Sequence, residues 1–155
     1  MNADSSPVDI LLVEDNPSDA ELAIRALKKS HLANRIEWVM DGEDAIDFIN
    51  HCGDYSTLPK GNPKVVLLDL RLPKVDGIEV LKSIRSSKNK DVKEIPVVVL
   101  TSSKEDNDLI SAYDLGVNSY VRKPISFDEF SKTVGELGMY WLLVNQIPES
   151  IHHES

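Results

Sequence analysis

The chain has 155 residues, 41% of them hydrophobic and 28% charged, which is enough for one globular domain with its own core. Its formal charge of −9 argues against nucleic acid or an anionic membrane as the main partner. Cys52 is the only cysteine, which excludes an intrachain disulfide, and no apolar run approaches the roughly 20 residues that span a bilayer. We therefore expect a soluble, cytoplasmic protein.

Five short apolar runs, each followed by a helical pattern, define the order of elements along the chain. Their composition predicts strands at 8–13, 35–40, 95–100 and 119–122, and one in the stretch 65–73 with Asp69 at its exit. Apolar residues at helical spacing predict helices at 16–30, 42–49, 77–84, 103–115 and 126–145. A turn-rich loop at 51–63 precedes the third predicted strand, and a polar connector at 86–93 precedes the fourth. Residues 1–7 are expected to be disordered, without a signal peptide, and 147–155 to form a tail.

This alternation of strand and helix predicts the α/β class. The expected architecture is one doubly wound parallel sheet with helices on both faces, joined by right-handed crossovers. The runs at 65–69 and 95–100 are apolar almost throughout, which is typical of strands buried on both faces. We expect a single domain over residues 8–146.

Polar side chains stand where the strands end, and they are Glu14, Asp15, Asp69, Thr101 and Lys123. The exits of a doubly wound sheet share one edge, so these residues are expected to converge. Clustered carboxylates repel unless a cation lies among them, and their oxygens suit Mg²⁺. We interpret Asp69 as a phosphoryl acceptor, with Lys123 neutralising the transferred group and Thr101 hydrogen-bonding to it.

Four segments resemble the signatures of the receiver domains of two-component response regulators. They are Leu12 to Asn16, Leu68 to Gly77, Val99 to Ser102 and Gly116 to Pro124. They occur in the family's order and their pattern extends from residue 8 to about 145. The resemblance implies a flavodoxin-like sheet of five strands in the order 2-1-3-4-5, with five helices. It also implies a switch that phosphorylates and dephosphorylates itself, not a metabolic enzyme.

The resemblance assigns a partner and a cofactor to this site. Asp69 would take its phosphoryl group from a phosphohistidine on a sensor histidine kinase. Asp15, Asp69 and the backbone carbonyl of Arg71 would bind Mg²⁺, and Glu14 would assist through water. Thr101 and Tyr120 would form a switch pair, in which Thr101 closes on the phosphate and Tyr120 rotates inward behind it. The bond between residues 123 and 124 would be cis.

Three further segments are similar to stand-alone regulators paired with cyanobacterial and bacterial phytochromes. They lie at 51–63, 111–118 and 141–148. The kinase would then be a red-light photoreceptor. Two features depart from the commonest family pattern. The acidic pair is Glu-Asp in place of Asp-Asp, and Arg71 puts a bulky cation at the lip of the pocket, which leaves the phosphoryl lifetime open.

The last predicted helix has more apolar side chains than one core-facing stripe requires. The stripe consists of Phe127, Phe130, Val134, Leu137, Trp141 and Val144. Because a second apolar face is usually buried against something, we predict a homodimer. The candidate interface residues are Tyr113, Phe127, Tyr140, Trp141, Leu143 and Ile147. The alternative is that the tail folds back over this face.

Three other functions fit these residues less well than the phosphorylation switch does. A receiver-like scaffold that is not phosphorylated is disfavoured, because the acceptor, the acidic pair and Lys123 are all present. A phosphatase of the haloacid dehalogenase type would place a second Asp where the chain has Arg71. A flavin carrier of the flavodoxin type would have a Ser/Thr/Gly-rich loop after the first strand, where the chain has Glu14 and Asp15. The four histidines are scattered or terminal and predict no metal site.

Overall fold

Five parallel strands form one sheet in the computed structural model, which describes residues 8–29, 35–53, 62–102, 106–123, 126, 128 and 132. The strands are β1 (Ile10–Val13), β2 (Ile36–Val39), β3 (Val65–Asp69), β4 (Val97–Thr101) and β5 (Ser119–Arg122). Their order across the sheet is β2-β1-β3-β4-β5, with every neighbouring pair parallel. The predicted α/β class and the strand order 2-1-3-4-5 are confirmed.

Five helices lie within the described part of the chain. They are α1 (Pro17–Lys29), α2 (Gly42–Asn50), α3 (Gly77–Arg85), α4 (Lys90–Lys93) and α5 (Asp106–Asp114). The predicted cap of α1 is present, since Asn16 Oδ1 accepts hydrogen bonds from two backbone N–H groups of the first turn. The polar connector predicted over 86–93 contains the one-turn helix α4, which Asn89 caps and which the sequence analysis did not predict. Such a short helix has too few residues to show an apolar period.

Both faces of the sheet are covered. Helix α1 lays a stripe of alanines and Leu27 against one face, where it packs on Ile10 and Leu12 of β1. Helices α2, α3 and α5 cover the other face, where Leu11 and Val13 of the same strand are buried. Every residue of β1, β3 and β4 is buried. The strands therefore have no place for a polar side chain until the point where they leave the sheet.

Two glycines pack closely against the backbone of the loop that follows β3. The N–H of Gly77 donates a hydrogen bond to the carbonyl of Leu70 at 3.1 Å. A Cβ atom on Gly77 would collide with the backbone of Asp69 and Leu70, and one on Gly42 would collide with the carbonyl of Val75. Helices α2 and α3 can therefore approach this loop closely only because these positions have no side chain.

Some of the predictions fall outside the described residues. They concern residues 1–7, the tail at 147–155, the bond between residues 123 and 124, and most of the helix at 126–145. Within that predicted helix Asp128 and Lys132 are described, and both are helical. The interface candidates outside the described residues are Phe127, Tyr140, Trp141, Leu143 and Ile147. Within the described ranges, no helix has the length and apolar character needed to cross a membrane.

Candidate functional site

An ammonium group and several carboxylates meet at the edge of the sheet where the strands end. Lys123 Nζ lies 2.9 Å from Asp69 Oδ2 and 2.8 Å from Glu14 Oε1. Asp19, in the first turn of α1, brings a further carboxylate oxygen to 3.5 Å from the same nitrogen. The backbone N–H of Lys123 donates to the carbonyl of Thr101 at 2.6 Å, which aligns the end of β5 with that of β4. The convergence expected from the topology is therefore present, and Asp19 joins it although the sequence did not single it out.

Each carboxylate oxygen of Asp69 accepts a hydrogen bond from a neighbouring residue. Oδ2 accepts a hydrogen bond from Lys123, and Oδ1 accepts one from the backbone N–H of Arg71 at 3.0 Å. Asp69 is the last residue of β3 and is only 2% exposed. The backbone of β3 and the turn that follows it thus fix the orientation of this carboxylate before any ligand arrives.

Burial controls the charge of the groups around Asp69. It raises the pKa of Glu14 from 4.5 to about 8, with Lys123 opposing the shift and Asp69 adding to it. Burial also lowers the pKa of Lys123, but its close contacts with the carboxyl groups of Glu14 and Asp69 outweigh that effect and the net shift is upward. Lys123 therefore stays protonated at neutral pH, and it is the cation that faces both carboxylates.

Three acidic residues lie close enough together to hold one divalent metal ion. Glu14, Asp15 and Asp69 can each place one carboxylate oxygen within 4.8 Å of the others. The buried oxygen Glu14 Oε1 accepts no well-aligned hydrogen bond from the described residues, although it contacts Lys123. A donor set made only of oxygen suits a hard divalent cation. These side chains therefore fit a divalent ion, while the ligand role of the Arg71 carbonyl stays a prediction.

A tryptophan supports the acidic pair from the neighbouring strand. The indole N–H of Trp38, on β2, donates a hydrogen bond to the carbonyl oxygen of Glu14 at 2.8 Å. The backbone N–H of Glu14 in turn donates to the carbonyl of Val39. Sequence reasoning missed this contact, because an aromatic residue in a strand predicts packing and does not specify a hydrogen-bond partner.

The predicted switch residues lie on adjacent strands. Thr101 ends β4, is fully buried, and donates its hydroxyl hydrogen to the carbonyl of Ser102 at 3.3 Å. Tyr120 on β5 is 39% exposed and packs edge-on against Tyr113, with ring centroids 6.3 Å apart. The guanidinium carbon of Arg122 lies 5.4 Å from the centroid of the Tyr120 ring. Tyr120 therefore lies at the surface, and its inward rotation stays a prediction.

The side chain of Arg71 leads away from the loop toward α5. Its Nη2 atom lies 2.9 Å from Asp108 Oδ2. The guanidinium that the sequence placed at the lip of the pocket is therefore engaged by a carboxylate. The sequence showed no signal for this pair, since its members are separated by β4 and lie on different elements.

Comparison with known proteins gives matches over nearly the whole chain. The family described as "Response regulator receiver domain" matches residues 10–135. The probable methanogenesis regulatory protein FilR2 of Methanothrix harundinacea is 49% identical, over 92% of this chain and 88% of its own. The response regulator Rcp1 of Synechocystis is 40% identical, over 96% of this chain and 99% of its own.

Solved structures give the same picture. The bacteriophytochrome response regulator AtBRR superposes with a TM-score of 0.72 at 50% identity, over 86% of this chain and 94% of its own. The phosphorylated cyanobacterial phytochrome response regulator RcpA has a TM-score of 0.76 at 37% identity, over 88% and 95%. The Mn²⁺-bound form of Rcp1 has a TM-score of 0.75 at 40% identity, over 88% and 95%.

Proposed function

The chain belongs to the response regulator receiver family, and from this premise we propose that it is a phosphorylation switch whose acceptor is Asp69. The observation that carries the proposal is the 2.9 Å contact between Lys123 Nζ and Asp69 Oδ2. A partly buried ammonium beside the attacking carboxylate supplies positive charge where the oxygens of a transferred phosphoryl group accumulate negative charge. Such a protein acts as a signalling switch and not as a metabolic enzyme.

In the proposed transfer, an oxygen of Asp69 attacks the phosphorus of a phosphohistidine. The new O–P bond forms as the N–P bond to the kinase histidine breaks, which yields an acyl phosphate. Lys123 then pairs with a phosphoryl oxygen, and the buried hydroxyl of Thr101 turns from the carbonyl of Ser102 to donate to another. Tyr120 would follow by rotating inward from its exposed position, which would carry the change to the surface of β5.

We propose Mg²⁺ as the resident ion. Asp15, Asp69 and the carbonyl of Arg71 would hold it, with Glu14 assisting through water. The ion, when bound, would offset the mutual repulsion of the carboxylates and part of the phosphoryl charge. The oxygen donor set supports this proposal, as does the Mn²⁺-bound form of the relative Rcp1.

The proposed donor is a sensor histidine kinase of the phytochrome type. Its support is the likeness to AtBRR and RcpA, which are both described as phytochrome response regulators. The alignment with the response regulator Rcp1, which extends over 99% of that protein, supports a regulator of the same kind. A reducing cytoplasm, as the single cysteine suggests, is the proposed compartment for this exchange.

We further propose a homodimer. The exposed apolar residues on α5 and β5 support it, namely Ile110 at 63%, Tyr113 at 48% and Tyr120 at 39% exposure. Tyr120 lies on β5, the strand at one edge of the sheet, and the ring of Tyr113 packs against it. Burial of this patch in a second copy would remove it from water.

Phosphotransfer profiling tests the function. A phytochrome-type kinase is autophosphorylated with labelled ATP, freed of nucleotide and mixed with this protein and Mg²⁺. We expect label to move to the protein within seconds, and Asp69→Asn or chelation of the metal to abolish the transfer. Asp91→Asn, an exposed carboxylate on α4, is the matched control and should accept label normally. Labelling of Asp69→Asn at the normal rate would contradict the proposed acceptor.

A further inference from the structure

We propose that the ion pair between Arg71 and Asp108 is a latch between the acceptor loop and α5, and that a phosphoryl group on Asp69 opens it. The inference rests on the proposed function, because it requires the acceptor to be modified. Arg71 has two connections in the structure. Its backbone N–H donates to Asp69 Oδ1 at 3.0 Å, and its guanidinium lies 2.9 Å from Asp108 Oδ2. One residue thus joins the reacting carboxylate to a helix on another part of the sheet.

The carboxylate of Asp108 depends on this contact. Its Oδ2 atom is buried and accepts no well-aligned hydrogen bond from the described residues. The charge on that oxygen is therefore met by Arg71. If the guanidinium leaves, the shielded oxygen loses its counter-charge, and α5 then gains stability by moving Asp108 toward water.

The guanidinium is free to move to a stronger anion. The Arg71 side chain is 62% exposed, so few packing contacts hold it against α5. A phosphoryl group on Asp69 carries a charge of about −1.5 to −2 on three acceptor oxygens, in place of the single negative charge of the free carboxylate, at a position two residues from Arg71. The planar guanidinium fork matches phosphate oxygens better than a lone carboxylate oxygen does. The phosphoryl group and Asp108 therefore compete for one cation.

This competition is reciprocal, which makes it measurable. Any change that frees Arg71 from Asp108 must strengthen the site for a phosphoryl group by the same factor by which that group weakens the pair. Because the Arg71 side of this ion pair is exposed, we expect its loss to change the dissociation constant of a phosphoryl mimic by only about two- to fivefold.

Beryllofluoride, a mimic of the phosphoryl group, is titrated in saturating Mg²⁺ and its dissociation constant is read from tryptophan fluorescence. Asp108→Asn should bind about two- to fivefold more tightly than the unmodified protein, and Arg71→Gln more weakly by a similar factor. In the Arg71→Gln background, Asp108→Asn should have no further effect. Asp114→Asn makes the same charge change at the exposed last residue of α5 and should leave the constant unchanged.

Hydrogen exchange adds a readout that a merely structural role would not move. Beryllofluoride should speed amide exchange in the first turn of α5 in the unmodified protein and should have no such effect in Arg71→Gln. Equal affinities for Asp108→Asn and the unmodified protein, or an equal Asp108→Asn effect in both backgrounds, would overturn the latch alone. If the unmodified protein binds no beryllofluoride, the proposed function fails and the latch fails with it.

Discussion

Lys123 Nζ donates a hydrogen bond to Asp69 Oδ2 at 2.9 Å in a site where Asp69 is 2% exposed. The same nitrogen contacts Glu14, so one cation stands between two buried carboxylates. The buried carboxylate of Asp69 would not be stable there as an anion without that partner. The contact explains how the fold tolerates its acidic cluster, and it also places positive charge where a phosphoryl group would arrive.

Replacement of Lys123 by Met should destabilise the protein. Asp69 would then be buried without a cation beside it, and breaking a buried pair in this way lowers the free energy of unfolding by about 3–5 kcal/mol. Mg²⁺ should restore part of the loss, because it binds only the folded site. Urea unfolding with and without Mg²⁺ measures both effects. Lys82→Met, which removes an exposed pair with Glu79, should cost no more than about 1 kcal/mol. Equal stability of the two variants would contradict this account.

Binding of a divalent ion should change the fluorescence of Trp38. Its indole N–H bonds to the carbonyl of Glu14, so a shift of the acidic pair alters the environment of the ring. The chain has two tryptophans, and Trp141→Phe leaves Trp38 as the only one. In that background, titration with Mg²⁺ should give a saturable change, and Asp15→Asn should weaken the affinity by at least about tenfold. An affinity unchanged by Asp15→Asn would remove Asp15 from the metal site.

Gly77→Ala should impair the site and the fold together. The added methyl group would collide with the backbone of Asp69 and Leu70, so α3 or the acceptor must shift. Gly116→Ala is the matched control, because its φ of 82° makes alanine unfavourable by about 1 kcal/mol at a position outside the acidic site. Thermal unfolding should register both variants. Mg²⁺ affinity should fall for Gly77→Ala alone, and an unchanged affinity would show that this close approach does not position Asp69.

Arg85 should be important for stability but not for phosphorylation. Its guanidinium donates to the carbonyls of Lys93, Ile95, Leu115 and Gly116 at 2.8–3.0 Å, which joins α3 to the segments before β4 and after α5. Arg85→Met should lower the free energy of unfolding by about 3 kcal/mol, since hydrogen bonds from a charged donor are lost. Arg85→Lys keeps the charge without the planar fork, so its free energy of unfolding should lie between those of Arg85→Met and the unmodified protein. Urea unfolding measures the free energy of unfolding of each variant. An equal loss in Arg85→Met and Arg85→Lys would mean that the charge does not contribute to stability.

Analytical ultracentrifugation at micromolar concentration tests the homodimer. We expect a mass of twice 17.3 kDa, and a shift toward the monomer when Tyr113 is replaced by Ser, because the exposed apolar patch on α5 loses its ring. Met40→Ser changes an equally exposed apolar residue beside β2, at the opposite edge of the sheet, and should leave the dimer intact. A monomer both with and without beryllofluoride would reject the dimer.

The class of fold and the position of the acidic edge could be predicted from local patterns. Strands buried on both faces must be apolar, so Asp69 and Thr101 are conspicuous as the first polar residues after such runs. Parallel topology then brings the exits together. The strand order needed the likeness to a known family, because an alternating pattern does not state which strands are neighbours.

The short helix α4 is an element that local sequence patterns do not predict. Its single turn depends on the cap by Asn89 and on burial of Val92, and neither is visible as a period. The contacts of Asp19 with Lys123 and of Trp38 with Glu14 were missed for a related reason. Each contact joins elements that are distant in the sequence. Whether the atoms come within contact distance depends on the side-chain rotamers and on how closely the elements pack.

The sequence by itself determined an α/β domain with carboxylates and one lysine at the exits of its strands, because hydrophobic burial dictates where polar residues can stand. Only the tertiary structure decided that Lys123 bridges Glu14 and Asp69, and that Arg71 reaches Asp108 on α5. Electrostatic contacts act over a few ångströms. They are therefore set by how closely the finished fold brings side chains together, which no local pattern records.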